Sequence, residues 1–272
     1  MLLSETENSA LRKRFAPDGS PLRRQQLRML EMLVWLDAVC RRHGIRYWLG
    51  SGTLLGAVRH GGFIPWDDDV DIELPREDYQ KLIAVLPQEC EDTNYALQTH
   101  DTDPGYVFTY AKLRDRRSYI EETNRYDRLF RLQGLFIDIF FVEPMPSLLH
   151  WLSNRTLGHV YKIMRNPEYN NQQIIRKTGK LYALNQRYIY PTLRWLGRLF
   201  PQKVLHYGLG IPYESIRRPE ELFPLTTINF EGHQLSSPHD AAAYLSRLYG
   251  NFQQLPDLER IHLHTHKMEI YE

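Results

Sequence analysis

The sequence predicts an α+β fold in which strands and helices alternate around one sheet and a more helical part follows. Stretches with the apolar patterns of strands lie at 45–52, 69–74, 95–100, 106–113 and 134–144. Stretches with apolar residues at helical spacing lie at 21–44, 53–60 and 77–86. After Pro146 the chain becomes basic and aromatic, which indicates a helical insertion or lobe over 147–226 within a single domain spanning 1–272.

The composition is that of an ordinary globular protein. The chain has 272 residues, of which 42% are hydrophobic and 25% charged, and its net charge of +1 gives no reason to expect a nucleic-acid partner. No window of about 18 apolar residues predicts a transmembrane helix, and the start lacks the features of a secretory signal. We interpret Cys40 and Cys90 as reduced thiols and therefore expect a cytoplasmic protein.

Capping and turn residues support the bounds of the predicted helices. Basic residues at 41–43 complement the C-terminal end of the first helix, and Gly44 is suited to end it. Pro75 precedes the helix predicted at 77–86, and Pro87 is expected to end it.

Four aspartates are crowded into the segment HGGFIPWDDDVDI at 60–72. In a strand, residues two apart point to the same side, so Asp69 and Asp71 project together while Val70 and Ile72 face the core. Two carboxylates held together repel each other, and a divalent cation removes that conflict. A DxD pattern is also common among turn and capping residues, so it does not predict a site by itself.

A third carboxylate lies in the most apolar strand, GLFIDIFFVEP at 134–144. A charge at Asp138, in so apolar a run, is unfavourable unless it is paired or bound to a metal. The simplest arrangement places it on a neighbouring strand that faces Asp69 and Asp71. Three such carboxylates can hold two Mg²⁺ or Mn²⁺ ions about 3.5–4 Å apart, a geometry used for displacement at phosphorus. The alternative is that Asp138 only pairs with an arginine.

A glycine turn, LGSGTLLG at 49–56, lies where a predicted strand meets a helix. Gly50, Ser51 and Gly52 permit a close approach of the backbone, so its N–H groups and the helix N-terminus are suited to hold a phosphate. Taken alone, the turn fits a glycine-rich strand exit equally well. Together with the aspartates it predicts phosphoryl chemistry.

The run CRRHGIRYWLGSGTLLGAVRHGGFIPWDDDVDI at 40–72 resembles the LicD family, the bacterial relatives of fukutin. The likeness reappears as AKLRD at 111–115, as GLFIDIFFVEP at 134–144 and as YLSRLYGNFQQLP at 244–256. Residues 147–226 carry no motif of this kind. Because the matching strings are long, the resemblance is specific.

The resemblance implies a nucleotidyltransferase-like mixed sheet flanked by helices. In such folds a Gly-Ser turn, a Dx[DE] pair and a later carboxylate form the site, and Gly50-Ser51, Asp69 with Asp71, and Asp138 match those positions. It also implies a phosphotransferase that moves phosphocholine from CDP-choline to a sugar of a surface glycan such as lipopolysaccharide. CDP-ribitol and CDP-glycerol are the related donors.

Further residues near these motifs are weaker candidates for donor binding. Arg59 and His60 either contact the donor phosphates or complement the end of their helix. Trp66 either covers the donor or caps the core, and Lys112 either binds a phosphate or is solvated. The tail reads YGN where the family usually has YGD, so we expect no acidic role at Asn251.

Two segments have no clear place in this scheme. Residues 147–205 contain ten Lys or Arg and one acidic residue, so they form either a solvated helical face or a surface for a lipid-linked glycan or for the inner face of the plasma membrane. No recognised module supports nucleic-acid binding there. The alternating histidines His262, His264 and His266 have zinc-like spacing, but no cysteine supports them.

Three other functions stay open at this stage. A nucleotidyltransferase that uses a nucleoside triphosphate would release pyrophosphate, and a DxD glycosyltransferase would release a nucleoside diphosphate. The non-enzymatic alternative is a glycan- or membrane-binding module that has kept a relic site.

Overall fold

The structure is a computed structural model that describes residues 3–261 and 265–271. Within these residues the chain forms a mixed sheet of seven strands with helices packed against it and a helical lobe, in agreement with the predicted α+β class. No helix in the described ranges is long and apolar enough to cross a membrane.

The elements alternate along the chain. The helices are α1 Glu5–Phe15, α2 Pro21–Arg42, α3 Ser51–His60, α4 Arg76–Glu89, α5 Ser147–Met164, α6 Asn171–Leu184, α7 Tyr190–Gly197, α8 Pro219–Leu222 and α9 Ala241–Tyr249. The strands are β1 Trp48–Leu49, β2 Asp71–Pro75, β3 Tyr95–Gln98, β4 Ala111–Asp115, β5 Ser118–Glu122, β6 Phe136–Pro144, β7 Leu205–Tyr207, β8 Ile216–Arg217, β9 Thr226–Phe230, β10 His233–Ser237 and β11 Thr265–Ile270.

Strand β6 organises the main sheet. It pairs with β2 in parallel and with β4 and β7 in antiparallel orientation. Strand β1 extends the sheet beyond β2, β3 extends it beyond β4, and β8 extends it beyond β7. Most of β6 is buried, because it lies inside the sheet and is covered on both faces, which explains its nearly continuous apolar sequence.

The strand register brings charged residues to the same level on three neighbouring strands. Asp71 on β2 pairs with Asp138 on β6, and Asp138 pairs in turn with Lys112 on β4. Residues that are level on adjacent strands project from one face, with backbones about 4.8 Å apart. The opposite face carries Ile72 and Ile139, which belong to the main core.

The long helix α2 closes this core. Its N-cap is Ser20, whose hydroxyl accepts a hydrogen bond from the Arg23 N–H at 3.2 Å, and Pro21 occupies the first helical turn, where its missing donor costs nothing. The face turned toward the protein buries apolar residues at helical spacing, among them Met29, Met32, Leu33 and Leu36.

Several predicted elements have different bounds in the structure. Strand β1 is only Trp48–Leu49, and β2 begins at Asp71, so Asp69 precedes the strand in which it was predicted. Strand β4 begins only at Ala111, because Tyr106 and Phe108 instead pack in a second apolar cluster with residues of α5 and α6. Helix α4 continues through Pro87 to Glu89. Pro87 lies in the last turn, where its missing N–H removes only one helical hydrogen bond.

The segment 147–226 is mainly helical in its first part, and later contains only the short helix α8. Helices α5, α6 and α7, with a π-helical turn at Asn185–Ile189, extend as far as Gly197. The chain then rejoins the main sheet as β7 and β8, and Arg217 on β8 is fully buried. The segment therefore provides both a helical lobe and two strands next to β6.

Gly56 in α3 provides a test of the close contact between this helix and the loop that follows it. An added Cβ would lie 2.4 Å from the Gly62 carbonyl oxygen. We expect Gly56→Ala to lower the free energy of unfolding by about 1–3 kcal/mol in urea denaturation, because a backbone atom must move. The control is Gly158→Ala in α5, whose Cβ would have no neighbour within 4 Å and which should raise stability by up to about 1 kcal/mol. Equal unfolding midpoints for the two variants would contradict this packing.

Candidate active site

The predicted aspartates line one cavity at the end of the sheet where β2 begins. The cavity has a volume of about 370 Å³. Its acidic residues are Asp67, Asp69, Asp71 and Asp138. The remaining lining residues come from the glycine turn, the sheet and the C-terminal region: Ser51, Gly52, Phe140, Tyr207, Tyr213, Ser215, Leu248 and Tyr249. The structure thus brings the three separate motifs of the sequence to one place.

Asp71 is in an unfavourable electrostatic environment within this cavity. Burial raises the pKa of its carboxyl well above the usual range, and Asp69, Asp138 and Asp67 raise it further. No Lys or Arg among the described residues forms an ion pair with it. A cavity that gathers acids around an uncompensated carboxylate is therefore suited to a cation.

Asp138 has a partner that the sequence analysis did not assign to it. The Lys112 ammonium lies 3.0 Å from its Oδ1 and 3.2 Å from the centre of the Phe136 ring. Burial raises the pKa of Asp138, whereas Lys112 opposes that rise. Lys112 is itself buried, not solvated, and it does not line the cavity.

The glycine turn is fixed by its surroundings. Gly50 is the N-cap of α3, and Ser51 adopts a left-handed backbone conformation with φ of 42°. The Ser51 N–H donates to the Tyr244 hydroxyl at 3.2 Å, so this donor already has a partner. A Cβ on Gly52 would lie 3.1 Å from Asp67 Oδ2, which shows how closely the turn approaches the acidic segment. Thr53 Oγ1 accepts a hydrogen bond from the Asp71 N–H at 2.9 Å and ties the turn to β2.

A buried carboxylate that the sequence analysis missed lies beneath the turn. Glu73, two residues after Asp71, is fully buried, and its oxygens accept hydrogen bonds from Arg217 at 2.6 and 3.0 Å. Three further donors complete the set: the Tyr207 hydroxyl at 2.6 Å, the Tyr244 hydroxyl at 2.8 Å and the Trp48 indole N–H at 3.0 Å. These bonds lower the pKa of Glu73, although burial alone would raise it.

Gly50 supports this arrangement without lining the cavity. A Cβ at this position would lie 2.9 Å from Glu73 Cγ, so the absence of a side chain lets the carboxylate pack under the turn. In the sequence, the hydrogen-bond network around Glu73 was indicated only by Glu73 itself, the last residue of DVDIE, because most of its partners lie far along the chain.

The structure does not bring Arg59, His60 or Trp66 into the cavity lining. The Arg59 guanidinium donates to the carbonyl of Phe252 at 3.1 Å and to His60 Nε2 at 2.9 Å. His60 Nδ1 contacts Asn8 Oδ1 at 2.8 Å, and burial lowers its pKa to about 3. Trp66 packs edge-on against His60 and also against Phe15 of α1. These side chains therefore join the two ends of the chain to α3.

The remaining candidates lie outside the cavity. Asn251 is exposed in the turn after α9. His262 and His264 lie outside the described residues, and His266 is exposed on β11. Cys40 and Cys90 are free, buried thiols, as the sequence analysis expected.

The donor set fits a divalent cation that substrate phosphates help to bind. In the described ranges, no three His, Cys, Asp or Glu side chains already converge on a common metal position. Mg²⁺ is commonly held by one or two carboxylates together with phosphate oxygens and water, so a complete protein cage is not required. The uncompensated Asp71, with Asp69 beside it, matches that incomplete type of site.

Comparison with known proteins identifies the family. The family profile described as LicD/FKTN/FKRP, nucleotidyltransferase domain, matches residues 44–167. The chain is also 31% identical over 267 residues to the lipopolysaccharide cholinephosphotransferase LicD of Haemophilus influenzae, covering 92% of this chain and 97% of that protein. The chain belongs to the LicD family. It is thus a phosphotransferase with a nucleotidyltransferase-type fold.

Animal members of the LicD family match over shorter stretches. The human ribitol 5-phosphate transferase FKRP is 63% identical over 129 residues, which cover 44% of this chain and 22% of that protein. The mouse ribitol-5-phosphate transferase FKTN is 37% identical over 62 residues, which cover 23% of this chain and 13% of that protein.

The conflict at Asp71 predicts that its removal stabilises the protein. We expect Asp71→Asn to raise the free energy of unfolding by about 1–2 kcal/mol at neutral pH without divalent cations, because the folded state no longer holds a carboxyl whose ionised form is unfavourable there. The gain should begin to fall as the pH drops below the raised pKa and should vanish below the ordinary pKa of aspartate, where the group is neutral in both the folded and the unfolded chain.

Asp115→Asn is the control for this experiment. Asp115 is more deeply buried than Asp71 and accepts two hydrogen bonds from Arg28, at 2.9 and 3.0 Å. Its replacement should lower stability by about 1–3 kcal/mol. Urea denaturation in the presence of a chelator measures both variants, and a destabilised Asp71→Asn protein would show that the cavity does not strain this carboxylate.

Proposed function

We propose that this protein transfers phosphocholine, or a related phospho-alcohol, from a CDP-activated donor to a hydroxyl of a cell-surface glycan sugar and releases CMP. Two divalent cations, Mg²⁺ or Mn²⁺, are part of the proposal. The observation that carries it is the row of Asp71 and Asp138 on parallel neighbouring strands, within a cavity that Asp69 and the glycine turn complete. Support for choline and a lipopolysaccharide acceptor comes from the Haemophilus influenzae relative, which is a lipopolysaccharide cholinephosphotransferase.

In this proposal, different acidic residues bind the cations that contact the donor and the acceptor. Asp69 and Asp71 would hold one cation, and Asp138 would share a second. Bound ions of this kind neutralise phosphate charge and lower the pKa of a coordinated hydroxyl. Asp71 is held in position by the bond from its N–H to Thr53, and Asp138 by its place within β6.

Asp138 is suited to take the proton of the acceptor hydroxyl. Burial raises its pKa, which makes the carboxylate a better base, while Lys112 opposes that rise and favours the ionised form. The new bond joins the sugar oxygen to the phosphorus that carries choline. The bond from that phosphorus to the CMP oxygen breaks, and the hydroxyl proton passes to Asp138. In a nucleotidyltransferase, by contrast, attack falls on the nucleotide's own α-phosphorus.

Aromatic residues at the cavity support a donor with a cationic or planar group. Tyr213 and Tyr249 are about half exposed, at 49% and 44%, and Phe140 lies behind Tyr213 with ring centres 5.7 Å apart. The faces of such rings attract quaternary ammonium groups and also stack on bases. Choline and cytosine both fit this chemistry.

We place the reaction in the cytoplasm. Both cysteines are unpaired and buried, which fits a reducing compartment. An acceptor sugar attached to a lipid would require peripheral contact with the inner face of the plasma membrane.

Replacement of the aspartates tests the site. We expect Asp69→Asn, Asp71→Asn and Asp138→Asn each to lower CDP-choline turnover by about a hundredfold to a thousandfold, since each removes charge that balances the transferred phosphate. Asp240→Asn is the control, because asparagine caps α9 as well as the Asp240 carboxylate does. Folded Asp69→Asn or Asp71→Asn protein with unchanged turnover would overturn the scheme.

A donor screen with mass identification of the products separates the alternatives. CDP-choline, CDP-ribitol, CDP-glycerol, CTP and UDP-sugars are offered to the wild-type protein together with Mg²⁺ or Mn²⁺. CMP release supports the proposal, whereas pyrophosphate indicates a nucleotidyltransferase and a nucleoside diphosphate indicates a glycosyltransferase. Calorimetry with CDP-choline and each metal tests the cations separately.

The Lys112–Asp138 pair predicts a shift in the pH dependence of the reaction. In Lys112→Met the opposing charge is lost, so the pKa of Asp138 should rise further and the acidic limb of kcat against pH should move to higher pH. Lys112→Arg keeps the charge and should leave the limb closer to the wild-type position. An acidic limb that does not move in Lys112→Met would exclude Asp138 as the group that titrates there.

A further inference from the structure

A second cavity lies at the opposite ends of the central strands, away from the aspartates. Its volume is about 440 Å³, and it is bounded by the last residues of β2 and β6 and by α7. The apolar part of its lining consists of Pro75, Val142, Pro144, Met145, Leu205, Pro219 and Phe223. Four arginines share the cavity with two glutamates: Arg46, Arg76, Arg194, Arg198, Glu77 and Glu143.

Acidic groups balance only part of this positive charge. Arg46 is paired with Asp78 at 2.7 Å. Glu143 binds Arg194 through both of its oxygens, at 2.7 and 3.0 Å, which leaves Arg76 a longer contact of 3.5 Å with the same carboxylate. Arg198 has no ion pair among the described residues and is exposed. Burial lowers the pKa of Arg76, and the nearby Arg194 and Arg198 lower it further, as expected where cations crowd together.

Exposed apolar side chains surround the same region. Trp195 on α7 is 61% exposed, and Leu199 and Phe200, just after that helix, are 62% and 58% exposed. Helix α5 begins two residues after Met145 of the cavity lining and exposes Leu148 and Trp151 on one face. The two helices are neighbours, because Gly197 of α7 packs against Met145 and Pro146 before α5.

We propose that this face, formed by the arginine cavity and the exposed apolar residues of α5, of α7 and of the turn after α7, docks onto an anionic phospholipid bilayer. Tryptophan and leucine side chains enter the boundary between headgroups and acyl chains, and arginines bind the lipid phosphates. A soluble anion would account for the arginines alone. It would give no reason to expose two tryptophans, a phenylalanine and two leucines around them.

The charge distribution favours an anionic surface. Residues 147–205 contain ten Lys or Arg and a single acidic residue, although the whole chain has a net charge of only +1. The docking face is about a strand length from the aspartate cavity, since the two lie at opposite ends of β2. Membrane docking is therefore independent of the proposed reaction, and it can be disproved while the reaction scheme remains valid.

Vesicle flotation of the full chain tests the proposal. Vesicles of phosphatidylcholine mixed with phosphatidylglycerol are compared with pure phosphatidylcholine, each at low and high salt. We expect binding to the mixed vesicles that weakens in high salt. The double variant Trp195→Ser/Leu199→Ser should bind at least about tenfold more weakly, and Arg198→Gln about fivefold more weakly.

The matched control lies on α2, where Leu27 and Arg24 are also exposed. Leu27→Ser/Arg24→Gln should bind vesicles as the wild type does, and all variants should keep the wild-type unfolding midpoint. CDP-choline turnover with a water-soluble sugar acceptor should not change in any of them. Failure to float with the mixed vesicles at low salt, or equal binding by the Trp195/Leu199 and α2 variants, would overturn the proposal. So would binding of free glycerol phosphate without any binding of vesicles.

Discussion

The fold around the active site depends on one buried carboxylate. Glu73 binds Arg217, Tyr207, Tyr244 and Trp48, so it joins β2 to β1, to the strands after the helical lobe and to α9. Loss of one partner of a buried ion pair typically costs about 3–5 kcal/mol, because the other charge is left uncompensated. The same network holds the backbone of the glycine turn through Tyr244. Segments far apart in the chain thereby acquire a fixed position beside the catalytic aspartates of the proposed reaction.

Two neighbouring acids of β2 thus have opposite environments. Glu73 is saturated with donors, and its pKa is lowered, whereas Asp71 faces other carboxylates, and its pKa is raised. Glu73 therefore stabilises the structure, whereas Asp71 is held in an electrostatically unfavourable position. Such stored repulsion is expected where a cation and a phosphorylated donor bind only during turnover. Asp138 lies between these extremes, because Lys112 balances part of its charge.

The sequence was sufficient for the features that depend on local pattern. Alternation in DVDIEL located β2, and the lone acid of LFIDIFF located a charge facing the cavity. It was not sufficient where distant contacts decide. Glu73 and Arg217 are 144 residues apart, so no local pattern connects them. Arg59 and His60 lie next to the acidic segment in sequence, yet the helix end turns them toward the chain termini, where they bind Phe252 and Asn8. The aromatic walls of the cavity also come from remote segments.

The buried thiols have a practical consequence for site-specific labelling of the protein. Cys40 is almost fully buried, and its pKa is raised to about 12, while burial raises the pKa of Cys90 to about 11. Alkylating reagents require an accessible thiolate, so the native fold should leave both unlabelled. A fluorophore or spin label attached to a single cysteine introduced on the helical lobe would therefore report from that position alone, with no need to remove the natural thiols first.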